Sequence, residues 1–156
     1  MTVAPIPPGY TTVTPYLIIR GAAKAIDFYK RAFGAVELYR LAGPDGAIAH
    51  AEIRIGNSPV MLSDGMGSGY SDPLTLGGAG VSFMVYVPDV DAAFARAVAA
   101  GATVKRPVAD QFYGDRTGTL ADPFGHVWSI GTHIEDVPPE EIDRRFKEMT
   151  KSAANA

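Results

Sequence analysis

His50, His126 and His133 are the chain's only imidazoles, and His50 stands two residues from Glu52 in the segment IAHAEIRIG. Residues two apart on a strand share a face, so the pair sets a base beside a carboxylate. His126 follows the turn Asp122-Pro123-Phe124-Gly125, which could bring it to the end of a neighbouring strand. Two imidazoles and a carboxylate suffice for zinc or iron. Three readings are therefore open here: metal or acid–base work, hydrogen bonding to a ligand, or a solvated His50–Glu52–Arg54 row opposite Ile53 and Ile55. Other chemistries fall away. Zero cysteines exclude thiolate catalysis, disulfides and zinc–sulfur sites. Ser82 and Ser129 have no histidine placed to activate them, and no Gly-x-Ser-x-Gly elbow occurs. The glycines between Asp64 and Gly80 do not follow a strand and open a helix as phosphate cradles do.

The elements that must position these groups occur twice. Residues 14–64 run TPYLII, AAKAIDFYKRAFGA, VELYRL, IAHAEIRIG and SPVMLSD; residues 81–131 repeat the order as VSFMVYV, DVDAAFARAVAAGA, TVKRP, RTGTLAD and GHVWSIG. Ala22, Ala25, Ile26, Tyr29 and Phe33 fall at helical spacing, and Gly34 can supply a left-handed stop. Gly101 closes the second helix, which Asp89 or Asp91 caps. Strand patterns flank turn signals at Pro44-Asp45-Gly46 and Gly56-Asn57. A duplicated unit that cannot bury its sheet face alone implies two units around a shared core. We therefore expect an α+β fold of two tandem βαβββ units, about 12–64 and 81–131, joined by a glycine-rich connector over 65–80 that serves as linker or mobile lid. These make one domain over residues 1–135. Pro5, Pro7, Pro8 and Gly9 make the N-terminus an extended or disordered arm. A final helix and tail occupy 136–156, with Glu140 and Glu141 early, basic residues late, and an apolar stripe of Ile142, Phe146 and Met149.

With 156 residues, 47% hydrophobic and 20% charged, the chain suits a single soluble core. A net charge of −3 without a basic block argues against a nucleic-acid partner. No apolar run reaches the roughly 18 residues of a membrane span. The first residues lack the charged start and apolar core of a secretory signal, so cytoplasm is the default location.

AIDFYKRAFGA in the first unit and DQFYGDRTGTLADPFGHVW through DPFGHVWSI in the second carry a resemblance. In that order, over roughly residues 12–135, the chain resembles the vicinal-oxygen-chelate superfamily, in its glyoxalase/bleomycin-resistance, PhnB-like branch. The resemblance implies a curled mixed sheet with helices on its convex face, a concave ligand cavity and a homodimer. It also implies, in members with glyoxalase or dioxygenase activity, one divalent metal held by His or Gln in the first strand of each unit and Glu in the last. On this chain those positions are Thr14, Leu62, Ser82 and Ser129; a slip of one residue offers Met61, Ser63 and Trp128. Neutral hydroxyls are poor ligands for such an ion and Leu has no lone pair, so no metal or other cofactor is expected.

If Thr14 and Ser82 face the cavity, alternation sets Tyr16 and Met84 beside them, Ser129 opposite with Val127, and Leu62 with Val60 as apolar wall. Hydroxyls, aromatics and a thioether suit a small molecule of mixed polarity. Phe112 and Tyr113 either anchor a loop or stack on a ligand at the cavity mouth. Asp115–Arg116 is read as a loop-fixing ion pair, Trp128 as core, and Asp122–Gly125 as a structural turn. The expectation is a metal-free small-molecule binder working as a homodimer. The alternatives are an enzyme (lyase, isomerase or dioxygenase) using His50 and Glu52 with a non-standard metal or as acid and base, and a purely structural or interaction role for the last helix.

Overall fold

Both helix stops expected from glycine occur. Gly34 (φ 65°) ends the first helix and Gly101 (φ 122°) the second, in backbone that a residue with a Cβ rarely adopts. The structure, a computed structural model, describes residues 3–67 and 69–154. Met1 and Thr2 of the N-terminal arm, Ser68 of the connector, and Asn155 and Ala156 of the tail lie outside the described residues. In chain order the elements are β1 (Tyr16–Ile18), α1 (Ala22–Phe33), β2 (Val36–Ala42), β3 (Ile48–Ile55), β4 (Ser58–Ser63), α2 (Pro73–Leu76), β5 (Ser82–Tyr86), α3 (Val90–Ala100), β6 (Thr103–Asp110), β7 (Asp115–Ala121), β8 (Val127–His133) and α4 (Pro139–Ala154).

This is an α+β fold in which βαβββ occurs twice. Each unit builds one four-stranded mixed sheet, β1-β4-β3-β2 and β5-β8-β7-β6. In each, the first strand runs parallel to the last, and the other neighbours are antiparallel. β1 is shorter than the segment TPYLII suggests. Pro15 has no N–H to give, though its carbonyl still accepts from Met61 N at 2.9 Å. Within the connector, Asp72 caps the short α2 by accepting from Leu74 N and Thr75 N.

Alternation sorts each strand into a helix side and an open side. Leu17, Ile19, Ala51, Ile53, Ile55, Val60 and Leu62 enter one core with Ile26, Phe28 and Tyr29 of α1. From the second unit come Leu120, Trp128 and Ile130 with Val90, Ala93, Phe94 and Ala97 of α3. The two helices lock together: Arg31 Nη1 donates to Ala100 O at 3.3 Å, and Arg96 Nε to Ala32 O at 3.1 Å. Trp128 crosses between units, its ring centroid 5.3 Å from that of Tyr29 and 4.8 Å from that of Phe33. Burying side chains of this size stabilises by about 1.5–3 kcal/mol each.

Asp122 is the polar knot of that core. Only 5% exposed, it accepts from Tyr29 OH at 2.7 Å and Trp128 Nε1 at 2.9 Å. It also accepts from the backbone N–H groups of Phe124 and His126. Burial, with the Asp122 charge close by, pushes the Tyr29 phenol well up. The Asp122–Gly125 turn is thus structural and joins the two units.

α4 docks on its own chain. Phe146 meets Phe112 at 5.6 Å between ring centroids, and Arg145 donates to Glu135 and to Phe112 O. Arg144 and Arg145 hold the Glu141 carboxyl down at about 2.

Candidate functional site

Where the core takes one side of each sheet, the other side is open, and the candidate residues are divided between these two faces. On the first, strand register sets Tyr16, Met61, Glu52 and Tyr39 in one row across β1, β4, β3 and β2. His50 lies one strand step from Glu52 on the same side. Tyr16 reaches across β4 so that its hydroxyl is 2.9 Å from His50 Nδ1, and His50 Nε2 is 3.1 Å from Glu52 Oε1. The other carboxylate oxygen accepts from the Tyr10 hydroxyl. Those contacts lower the Glu52 carboxyl, the Tyr10 bond first and the His50 bond second. In return the Glu52 bond pushes the Tyr10 phenol up to about 12. The face opens into a cavity of about 510 Å³ lined by Tyr16, Ile18, Ala49, Ser63, Met66 and Tyr70.

The second open face has the same register and different chemistry. Met84, Ser129, Thr119 and Arg106 form the corresponding row. Ser129 Oγ and Thr119 Oγ1 pair at 3.0 Å. With Tyr113, Thr117 and Gln111 they line a cavity of about 330 Å³. Gly131 leaves room here: a Cβ would stand 2.4 Å from Met84 Cε and 2.9 Å from Thr117 Cγ2, so both side chains would have to move. At one end, Asp115, 5% exposed, accepts from Tyr86 OH at 2.8 Å and pairs with His133 Nδ1 at 2.7 Å. His133 Nε2 reaches Asp136 at 2.9 Å, ahead of α4. Asp115 first and Asp136 second raise the His133 imidazole above its usual range.

Several expectations are corrected by these positions. Leu62 is no cavity wall: it is 0% exposed in the core, as Val60 nearly is, and Met61 is the β4 residue in the open-face row. The parity follows from Leu62 pairing with Leu17, a core residue of β1. Phe112 stays out of the second-face cavity, its ring taken up by Tyr113 and Phe146. Tyr113 does line the second face. His126 does not join His50 and Glu52. Its Nε2 donates to Ile18 O at 3.1 Å, and the residue borders a groove of about 600 Å³ between the units that shares Tyr16, Ile18 and Tyr70 with the first cavity. Trp128 is 2% exposed, as read from the sequence, but the expected Asp115–Arg116 pair gives way to other partners: both residues lie in β7, Arg116 forks onto Asp91 and Asp110, and Asp115 is taken by Tyr86 and His133. Tyr10 was missed because nothing in an arm rich in proline and glycine signals where it lands. Tyr86 and His133 were missed although alternation from Met84 and Ser129 would have pointed to both.

Would the four positions suit the divalent metal that the fold implies? Thr14 lies outside β1 and gives its hydroxyl to Thr11 O at 3.2 Å. Ser82 is exposed, Ser129 is paired with Thr119, and Met61 offers a thioether. Two or three neutral hydroxyls and a soft sulfur do not match zinc, iron or manganese. Among the described residues no three His, Cys, Asp or Glu side chains are grouped to hold an ion. These residues do not fit the metal.

Comparisons with known proteins agree with the geometry at the level of fold. The family model described as Glyoxalase/Bleomycin resistance protein/Dioxygenase superfamily matches residues 10–130. An uncharacterized protein of Mycobacterium tuberculosis is 48% identical over 134 residues, covering 83% of this chain and 79% of its own length. The crystal structure of TioX from Micromonospora sp. ML1 superposes with TM-score 0.60 at 29% identity, over 82% of this chain and all of that one (100%). An Arabidopsis thaliana gene product superposes with TM-score 0.65 at 28% identity, over 78% of this chain and 98% of its own. No helix among the described residues is long and apolar enough to cross a membrane.

Proposed function

Since the chain belongs to the glyoxalase/bleomycin resistance protein/dioxygenase superfamily, we propose that it is a metal-free member that binds a small molecule on the open face of its second unit. The single observation that carries this reading is the donor set: at Thr14, Met61, Ser82 and Ser129, where the family resemblance implies ligating groups in metal-dependent members, this chain has hydroxyls and a thioether. What they offer instead is a surface for recognition. Met84 supplies an adaptable apolar contact, Tyr113 a ring, and Ser129, Thr119 and Thr117 hydroxyls that both donate and accept. A ligand with a flat apolar body and a few polar groups matches that lining.

The same reading includes a homodimer. Met84 and Tyr86, on the open face of the second unit, are each at least 41% exposed. A second copy placed over this face would close a cavity that is shallow in one chain. Its location is taken as cytoplasmic.

The test is a thermal-shift panel on purified protein, with flat aromatic compounds and glycopeptide antibiotics in one arm and zinc, manganese, nickel and iron(II) salts in another. The expected result is stabilisation by a compound of the first arm, diminished in Met84→Ala and Tyr113→Ala, with none from the metals. A stoichiometric ion in metal analysis, or stabilisation by a metal that Ser129→Ala abolishes, would overturn the reading. Sedimentation at several protein concentrations tests the dimer, and a single monomer mass throughout counts against it.

A further inference from the structure

The first unit's open face carries an arrangement that ligand binding does not require. Glu52 accepts on both carboxylate oxygens, from Tyr10 OH and from His50 Nε2. In the neutral imidazole whose Nε2 proton is directed at the carboxylate, Nδ1 carries a lone pair. That atom faces the Tyr16 hydroxyl at 2.9 Å, so the phenol donates to it. Carboxylate, imidazole and hydroxyl are joined in the order in which a base is oriented by one neighbour and aimed at another. The rings are held as well, with centroids of Tyr16 and His50 5.6 Å apart and those of Tyr39 and His50 6.3 Å apart.

We infer that Tyr16, His50 and Glu52 form a metal-independent proton-transfer site, with Tyr16 as the group that touches substrate. Tyr16 lines the 510 Å³ cavity and is 46% exposed, whereas the His50 and Glu52 side chains are only 27% and 23% exposed. A substrate proton passes to the Tyr16 oxygen as the phenolic proton moves to His50 Nδ1. Glu52 stabilises the imidazolium so formed, and the reverse sequence returns the proton to a different atom of the substrate. No bond other than those to the protons changes, and no oxidant or reductant is involved. Proton transfer works best between groups of similar acidity. The substrate class is therefore small phenols, enols and carbon acids flanked by two carbonyl groups, with an apolar body to meet Ile18, Ala49 and Met66. His50 and Glu52 are positioning and proton-accepting groups behind Tyr16. The inference goes beyond the binding reading and is independent of it, since it concerns the other unit and needs no identified ligand.

Benzenesulfonyl fluoride tests it directly. The phenol oxygen bonds to sulfur, the S–F bond breaks, fluoride leaves, and the phenolic proton goes to the neighbouring base. Tyr39 is 51% exposed on the same face and serves as the internal control. In the intact protein, mass-spectrometric mapping should find Tyr16 labelled about ten-fold faster than Tyr39, as an activated nucleophile beside its base would be. His50→Ala should remove that advantage and added imidazole should restore it, which a merely structural histidine would not allow. Glu52→Gln keeps an acceptor for His50 Nε2 without the charge, and should slow Tyr16 labelling while leaving Tyr39 unchanged. Equal labelling of Tyr16 and Tyr39 in the unaltered protein would overturn the inference. So would a Tyr16 rate indifferent to both Glu52→Gln and the imidazole addition. Loss of ligand binding in the second unit would leave these labelling rates unmoved, so the two readings fail separately.

Discussion

Glu52 and Thr119 occupy matching places in the two sheets, as do Tyr16 and Met84, and Met61 and Ser129. The same backbone thus presents a chain of tyrosine, histidine and glutamate on one unit and a hydroxyl-lined hollow edged by Arg106 on the other. The helices differ in the same spirit. α1 brings Phe28, Tyr29 and Phe33 into the core, while α3 offers mainly alanines around Phe94. Where α3 needs room, the sheet concedes it: a Cβ on Gly118 would sit 2.6 Å from the Phe94 ring. Duplication fixes the scaffold and leaves the open faces free to diverge, because only the core side must pack against a neighbour.

Helix starts give the sharpest way to break this comparison. α1 has Gly21 before it and no capping side chain of its own; Asp64, at the end of β4, accepts from Gly21 N, Ala22 N and Ile48 N at 2.7–2.9 Å. α3 is capped locally, Asp89 accepting from Ala92 N at 3.0 Å. Asp64→Ala should therefore cost about 2–3 kcal/mol and Asp89→Ala about 1 kcal/mol, measured by urea unfolding. Equal losses would mean that the remote cap does no more than the local one.

A smaller effect should separate the two histidine clusters by pH. Asp115 and Asp136 favour protonated His133, so its stabilising contribution is complete below the ordinary histidine value of 6.5 and disappears as pH rises through its raised value. Thermal melts of wild type and His133→Gln should accordingly differ most near pH 5.5 and converge in alkaline solution. A gap that widens with pH would reverse the assignment.

The smallest change is expected at Tyr10. The Glu52 carboxyl is held low chiefly by the Tyr10 bond, so its contribution is present above the ordinary 4.5 and is lost as pH falls through the lowered value. Tyr10→Phe should move Glu52 back toward 4.5 in a carboxyl-carbon NMR titration. Stability should fall by less than about 1 kcal/mol, as befits a partly exposed contact. An unmoved Glu52 would detach the arm from the sheet.

Much of the scaffold was legible without coordinates. Helical spacing ending at Gly34 and Gly101, alternation that sends Ile53 and Ile55 inward, and the turn at Asp122–Gly125 are local signals with local causes. The same alternation set His50 and Glu52 opposite Ile53 and Ile55 and Tyr16 level with Met84, but whether either face meets a cavity was left to the packing. Leu62 went astray because a slip of one residue in a strand exchanges the two faces, and its neighbours Val60 and Met61 are both apolar enough to hide the slip. Phe112 went astray because its partner, Phe146, lies 34 residues on, in a helix whose docking no local pattern specifies.

What the sequence by itself determined is therefore the duplicated framework, since residue type and short-range periodicity suffice for it. Which side chains meet was decided by tertiary structure alone. Tyr10 reaches Glu52 across 42 residues, Tyr16 reaches His50 across 34, and Tyr29 reaches Asp122 across 93. Contacts of that span depend on how the sheets and helices pack around their common core, and packing is a property of the whole chain.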